Sequence, residues 1–169
     1  MAVKLNFPFT CDDVVLTAME PASHKFYGET ILRILELFPS NRIPVGAQMV
    51  GAKRPLRRRL RAIVITRPGT AEVLELRDVP RPVPGHSQVL VRVHATALNR
   101  ADILQREGRY PAPPDAPADI PGLEFAGEVA AVGPGVRDWH TGQPVFGLVG
   151  GGSYAEYVVA DPNYVGRLP

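Results

Sequence analysis

Six short runs of apolar and β-branched residues, separated by stretches that contain glycine and proline, recur through residues 62–160 of this chain of 169 residues. Such runs are typical of β-strands, and glycine and proline between them indicate turns. In the longest run, Val89, Val91 and Val93 alternate with other residues, so one face of that strand can join a core while the other face is mixed. The six predicted strands are 62–66, 73–79, 88–98, 124–132, 145–149 and 154–160. The pattern therefore predicts a mainly β domain, either a barrel or a sandwich.

One short helix is predicted directly after the strand at 88–98. Asn99 suits the N-cap position, and Asp102 places a carboxylate in the first turn, where it stabilises the helix. Gly108 follows Glu107 as a stop signal. The sequence thus predicts a helix over 99–107 and gives the domain an α+β character.

Residues 1–60 differ from the rest in charge and pattern. They carry nine Lys and Arg against five Asp and Glu, whereas the remainder of the chain is slightly acidic. Apolar residues at helical spacing predict an amphipathic helix over Glu29–Phe38, which Pro39 ends, and a glycine- and proline-rich stretch at 44–55 suggests a linker. We interpret 1–60 as a partly helical N-terminal extension of unknown role.

Composition limits the classes of partner and compartment. The only cysteine, Cys11, excludes an internal disulfide and a cysteine-based zinc cluster. No apolar run approaches the roughly 20 residues that span a bilayer, so we expect a soluble cytoplasmic protein without a membrane partner. The basic run Lys53–Arg61 could attract nucleic acid, but no aromatic residue interleaves its arginines, and a solvated junction is the favoured interpretation.

The segment Ala97–Val136 carries a recognisable set of motifs: N-R-A-D at 99–102, G-x-Y at 108–110, P-P at 113–114 and G-L-E-x-x-G at 122–127. It resembles the N-terminal catalytic domain of the medium-chain dehydrogenase/reductases, in particular the zinc-free quinone oxidoreductases, including the p53-inducible type. The resemblance covers 61–169 and implies a GroES-like, partly open β-barrel. In that family a Rossmann domain follows, so we expect the nucleotide-binding half to lie elsewhere, for example on a complementary Rossmann chain.

Leu60 stands where similar proteins have their initiating methionine. We therefore expect residue 60 to mark a natural start at a non-ATG codon, with 1–60 as upstream sequence read through. A genuine N-terminal extension is the alternative. In either case the expected organisation is an extension over 1–60 and a GroES-like catalytic domain over 61–169.

The family comparison also indicates a zinc-free site. Zinc alcohol dehydrogenases of this fold place a cysteine ligand at the start of the helix and a histidine in a Gly-His-Glu motif. Asn99 and Leu123 hold those two positions here, and only Glu124 of the second motif is shared. An amide is a poor zinc ligand and leucine is none, so we expect no catalytic zinc.

The resemblance implies roles for five residues in reducing a quinone or enone with NADPH. Asn99 would lie beside the nicotinamide and polarise the substrate oxygen, and Tyr110 would stack on the acceptor and donate its hydroxyl. Leu123 and Glu124 would line the pocket, and Asp102 would stabilise the helix or orient its neighbours. NADPH would be held mainly by the absent domain, so the chain alone is expected to be inactive.

Two other classes remain open beside the oxidoreductase. One is a non-enzymatic GroES-like binding module or a degenerate fragment, and the other is nucleic-acid binding through 57–61. Neither explains the spacing of Asn99, Tyr110 and Glu124. A homo-oligomer is a further candidate assembly.

Overall fold

The computed structural model of the chain describes residues 15–18, as backbone only, and residues 58–168. The predicted helix at Glu29–Phe38 and the linker at 44–55 lie outside this range. Two 3-10 turns, Ala71–Val73 and Pro162–Tyr164, accompany the main elements. The strands and the helix are β1 (Val15–Ala18), β2 (Arg59–Ile65), β3 (Leu74–Pro80), β4 (Val89–Leu98), α1 (Arg100–Arg106), β5 (Glu124–Val132), β6 (Pro144–Leu148), β7 (Tyr157–Ala160) and β8 (Val165–Arg167).

The strands form two sheets. The larger sheet has six strands in the order β1-β4-β5-β6-β8, with β7 also paired to β4. All of its pairs are antiparallel except β1 with β4, which is parallel. The smaller sheet is the antiparallel pair β2 and β3. With one short helix, this confirms the predicted mainly β architecture.

β4 is the central strand of the larger sheet. It pairs with β5 along most of its length, with β7 over its first four residues and with β1 over its last four. Its register to β5 shifts between Leu90 and Val91 and again between Val93 and Ala95. Such irregularities bend a strand and re-aim its side chains. As a result, the simple alternation that the sequence suggests breaks near His94, and residues 96–98 are all buried.

The core has two main parts. Inside the larger sheet, valines of β4, β5, β6 and β7 pack around Phe125. Where the smaller sheet meets the end of β4, Ile63 and Leu74 pack against Leu98 and the ring of Tyr154. The second part therefore lies directly behind the start of α1.

Two interactions fasten the smaller sheet to the larger one. Ala62 forms an isolated β-bridge to Ala155. Next to it, Arg61 Nε donates to Glu156 Oε1 at 2.9 Å, and the Arg61 backbone N–H donates to Oε2 of the same carboxylate at 2.9 Å. Within the smaller sheet, the Arg59 side chain donates to the Asp78 carbonyl oxygen at 2.5 Å. Two arginines of the basic run thus serve contacts within the domain.

One surface of the larger sheet is apolar and exposed. Phe146 and Leu148 are two positions apart in β6, so both side chains lie on one face of the strand, where they are 49% and 61% exposed. Tyr164 and Leu168, beside β8, are exposed as well. Phe146 is the register partner of Gly166, and its ring lies over that glycine, where a Cβ would come within 2.6 Å of the ring. We call Phe146, Leu148, Tyr164 and Leu168 the β6–β8 apolar face. Of the helices in the described part of the chain, none is long and apolar enough to span a membrane.

Candidate functional site

Asn99 lies where β4 ends and α1 begins, and it is the N-cap residue of the helix. Its side-chain Nδ2 donates to Glu124 Oε1 at 2.8 Å, and Glu124 is the first residue of β5. Both side chains are half-buried. The structure therefore joins two residues of the predicted site that are 25 positions apart in the chain.

Asp102 is buried behind this pair and accepts three hydrogen bonds. Its Oδ2 accepts from the Asn99 backbone N–H at 2.7 Å and from the Tyr154 hydroxyl at 3.0 Å. Its Oδ1 accepts from the Gly122 backbone N–H at 3.1 Å. The first of these bonds satisfies one of the unpaired donors at a helix N-terminus. The carboxylate thus ties α1, the turn before β5 and the segment before β7 to one another.

Burial dominates the electrostatics of this group. Desolvation raises the pKa of the Asp102 carboxyl above its ordinary value, and the negative charge of Glu124 raises it slightly more. The hydrogen bonds from Asn99, Tyr154 and Gly122 lower this pKa, but they do not cancel the effect of burial. Burial likewise raises the pKa of Tyr154 well above 10, and the neighbouring Asp102 charge adds to the effect. Tyr154 therefore stays protonated at neutral pH and acts as a donor.

Gly122 allows the turn before β5 to approach Tyr154 closely. Its φ of +100° lies in the region that favours glycine, and a Cβ there would come within 2.5 Å of Tyr154 Cδ1 and 2.8 Å of Tyr154 N, besides meeting the Ser153 hydroxyl. Two backbone bonds join the segments in the same direction, since Tyr154 N donates to Pro121 O at 3.1 Å and Ser153 N donates to Gly122 O at 3.2 Å. No larger residue fits at the glycine of the G-L-E motif without displacing this packing.

Two hydrogen bonds of the buried Thr96 hydroxyl fix the backbone at Glu124. The Thr96 hydroxyl lies 2.6 Å from the Glu124 carbonyl oxygen and 2.8 Å from the Ser153 hydroxyl. Thr96 and Ser153 are both buried. Together they fix the backbone at the start of β5, from which the Glu124 side chain reaches Asn99.

The other two predicted residues lie at the margin of this arrangement. Leu123 is half-buried between Gly122 and Glu124, and its carbonyl oxygen accepts from Val149 N at 2.8 Å. Tyr110 follows α1 and is 41% exposed, and within residues 58–168 no hydrogen bond connects it to Asn99, Asp102 or Glu124. The structure thus brings together Asn99, Asp102, Leu123 and Glu124 and leaves Tyr110 on the surface loop.

Sequence reasoning did not identify Tyr154, Ser153 or Thr96 as part of this network. Tyr154 was assigned to a strand, and its hydroxyl meets a carboxylate 52 positions away in the chain. The one available signal is that a tyrosine in a predicted core strand requires a hydrogen-bond partner for its hydroxyl once it is buried.

The described residues offer little that would hold a metal or a dinucleotide phosphate. Among them, no cluster of three His, Cys, Asp or Glu side chains is placed to bind a metal ion. The glycine-rich stretch at 150–152 leads into β7 and not into a helix, so it lacks the helix N-terminus of a phosphate-binding turn.

The described residues also form a cleft of about 1250 Å³. Its walls include Leu60, Val79, Pro113, Pro117, Tyr157 and Val159. Asn99, Asp102, Tyr110, Leu123 and Glu124 do not line it. The five predicted residues are therefore not in the wall of this cleft, but Leu148 and Val149, which pair with Glu124 and Leu123, are.

Comparison with known proteins places this geometry in a family. The profile of the alcohol dehydrogenase GroES-like domain matches residues 85–169. The chain is 42% identical over 115 residues to a quinone oxidoreductase from Lama guanicoe, covering 66% of this chain and 34% of that protein. It is 38% identical over 107 residues to a phthioceranic/hydroxyphthioceranic acid synthase from Mycobacterium bovis, covering 62% of this chain and 5% of the synthase.

A solved structure gives the same result. The structure of a mycobacterial protein complexed with NADPH superimposes with a TM-score of 0.57 at 32% identity, covering 64% of this chain and 34% of that one. The chain spans about a third or less of the length of these relatives. The match is therefore to their GroES-like domain alone. The chain belongs to the alcohol dehydrogenase GroES-like domain family, as an N-terminal domain of the medium-chain dehydrogenase/reductase type.

Proposed function

We propose that this chain is the substrate-binding half of an NADPH-dependent, zinc-independent oxidoreductase that transfers hydride to a quinone or enone. The observation that carries the proposal is the hydrogen bond from Asn99 Nδ2 to Glu124 Oε1 at 2.8 Å, at the end of β4. The similarity to quinone oxidoreductases supports the same reaction class.

The amide of Asn99 is suited to polarise a carbonyl group. It is neutral at every working pH and carries two N–H donors. Glu124 accepts one of them, and this carboxylate fixes the plane of the amide. The second N–H remains to donate to the acceptor oxygen, where negative charge develops as hydride adds to the conjugated system. Asn99 is therefore the residue that we assign to electrostatic stabilisation of the reacting oxygen.

The groups around Asn99 do not suit a catalytic zinc ion. The nearest side-chain donors are an amide and the carboxylates of Asp102 and Glu124, and Leu123 takes the place of the imidazole found in zinc enzymes of this fold. Both Asp102 oxygens already accept hydrogen bonds from the protein. Zinc sites of dehydrogenases favour thiolate and imidazole ligands. We therefore assign the reaction to hydrogen-bond polarisation and not to a Lewis acid.

The described residues fit only the nicotinamide end of NADPH. When bound, this cofactor supplies the hydride. Asn99 would border the nicotinamide ring, while the pyrophosphate requires a glycine-rich turn that opens a helix, which residues 150–152 do not provide. The proposal thus requires a nucleotide-binding domain beyond the described residues, and 58–168 alone should not turn over substrate.

Tyr110 and Leu123 are proposed to contact the acceptor. Leu123 lies beside Glu124 and offers an apolar surface to a flat ring. The exposed ring of Tyr110 stands on a loop that Pro113 and Pro114 constrain, and it can stack on a quinone that enters from the solvent side. This assignment rests on the resemblance to quinone oxidoreductases.

Titration of the isotope-labelled full chain with duroquinone tests the binding part of the proposal. This quinone has no free ring position with which to alkylate Cys11. We expect the side-chain amide signal of Asn99 to shift on addition, and we expect Asn99→Ala to weaken binding about fivefold, since one hydrogen bond to the acceptor is worth about 1 kcal/mol. The matched control is Asn163→Ala, because Asn163 is exposed on the second 3-10 turn and bonds through its backbone N–H.

Turnover is tested by joining the chain to the nucleotide-binding portion of a related quinone oxidoreductase. We expect quinone-dependent oxidation of NADPH, with kcat reduced about a hundredfold in Asn99→Ala and unchanged in Asn163→Ala. Equal quinone affinity and equal kcat in the two variants would contradict the role of Asn99. Specific capture of another protein without quinone binding would favour a non-enzymatic binding module.

A further inference from the structure

We infer that Tyr154 is a positioning residue of the candidate site, whose hydroxyl holds the Asp102 carboxylate in the orientation that fixes both Asn99 and the turn at Gly122. The contacts stand independently of the reaction. Their meaning for catalysis rests on the function proposed above.

The hydroxyl of Tyr154 has two acceptors within reach. Asp102 Oδ2 lies at 3.0 Å and the Ala97 carbonyl oxygen at 3.3 Å. A phenol carries one proton, so it donates mainly to one of them, and a carboxylate is the stronger acceptor. The hydroxyl therefore serves Asp102.

Asp102 connects this donor to both halves of the site. Its Oδ2 is shared by Tyr154 and the Asn99 N–H, and its Oδ1 accepts from the Gly122 N–H. A carboxylate bonded through both oxygens cannot rotate without losing a bond. Because Asn99 starts α1 and Gly122 precedes Glu124 by two residues, the orientation of Asp102 sets the separation between the Asn99 amide and the Glu124 carboxylate.

The ring and the hydroxyl of Tyr154 have different roles, which mutation to phenylalanine can separate. The ring packs with Ile63, Leu74 and Leu98 in the second part of the core, and phenylalanine would fill that space equally well. The hydroxyl is buried with it, and burying a phenol is favourable only when it is bonded. A purely structural role thus requires the ring alone, whereas the positioning role requires the hydroxyl.

The charged groups that act on Asp102 predict the effect of removing that hydroxyl. Burial and the charge of Glu124 raise the pKa of Asp102, and the bonds from Asn99, Tyr154 and Gly122 oppose the rise. Tyr154→Phe deletes one of the three donors to the ionised form. The pKa of Asp102 should therefore rise further, and the carboxylate should be protonated at a higher pH.

Nuclear magnetic resonance on the full 169-residue chain tests this inference. The Asp102 carboxyl signal is titrated with pH while the backbone and side-chain amides of Asn99 are followed in the same samples. In Tyr154→Phe we expect the Asp102 midpoint to move to higher pH, and both Asn99 amides to shift. The matched control is Tyr157→Phe, because the Tyr157 ring contacts Arg81 and its hydroxyl has no hydrogen-bond partner within residues 58–168. The inference would be overturned if Tyr154→Phe and the control gave the same titration midpoint for Asp102 and the same chemical shifts for the Asn99 amides.

A second measurement preserves the hydroxyl and the fold. Biosynthetic 3-fluorotyrosine is a more acidic phenol and hence a stronger donor, so the Asp102 midpoint should move to lower pH. No movement would also count against the inference. In the fused protein we expect Tyr154→Phe to lower kcat about tenfold with little change in KM, as misplacement of a catalytic group does. If Asp102 responds but the fused protein reduces no quinone, the positioning role stands and the proposed function fails.

Discussion

Replacement of Gly122 is expected to lower the stability of the fold. It combines a φ of +100° with a close approach to Tyr154 and Ser153. Gly122→Ala should therefore lower the free energy of unfolding by at least about 2 kcal/mol, because backbone strain and overpacking act together. Urea unfolding followed by circular dichroism measures the change.

Gly142→Ala is the control that separates the two contributions. Gly142 has a similar φ of +89°, but a Cβ there meets no atom within 4 Å. Its replacement should cost only the backbone strain, about 1 kcal/mol. Equal losses in the two variants would mean that the contact with Tyr154 contributes nothing.

Residue patterns alone predict only the local part of the site, and the grouping of Asn99 with Glu124 depends on the family resemblance. Asn99 and Asp102 lie three positions apart, so helix-capping rules alone relate them. The bond from Asn99 to Glu124 and the bond from Tyr154 to Asp102 join distant segments, and periodicity carries no information about them. The family motif predicts Tyr110 as a site residue, and within residues 58–168 it is exposed and has no hydrogen bond to the network.

Among the elements, prediction succeeded where a strand pairs along its whole length. The predicted bounds 124–132 coincide with β5, which lies between β4 and β6. The predicted strand 154–160 is shortened to Tyr157–Ala160, because residues 153–155 bond to the turn at Gly122 and to β2. β2 begins at Arg59, before the predicted 62, because β3 extends to Pro80 and supplies partners. The order of apolar and polar residues along the chain carries no information about these tertiary contacts.

The attachment of the smaller sheet gives a prediction about β2. Arg61 and Glu156 are about one-third exposed and form both a side-chain and a backbone bond, so Arg61→Met should cost about 1 kcal/mol of unfolding free energy. The loss should shrink in concentrated salt. The control is Arg77→Met, since Arg77 pairs with Glu75 within β3 and both are about half exposed. A larger loss for Arg77 than for Arg61 would show that the β2 contact does not fasten the sheets.

At the scale of the whole molecule, we expect the β6–β8 apolar face to promote self-association. Phe146, Leu148 and Tyr164 are each about half exposed or more on adjoining elements, and exposed apolar patches favour association. We expect the isolated chain to associate with rising concentration, and we expect Phe146→Ser with Leu148→Ser to shift it towards the monomer. Light scattering after size-exclusion chromatography measures both. The control is Val132→Ser, because Val132 is exposed at the end of β5 that does not pair with β6. A chain that stays monomeric at all concentrations would contradict the prediction.

The position of β4 has a consequence for how heat inactivates the protein. This strand has neighbours on both edges, and it ends at Leu98, one residue before Asn99 of the candidate site. A strand held in this way is released only in the global unfolding transition, whereas exposed loops open earlier. Warming should therefore leave the arrangement of Asn99 and Glu124 intact until the domain melts as a unit, so that loss of ligand binding and loss of secondary structure share one midpoint temperature.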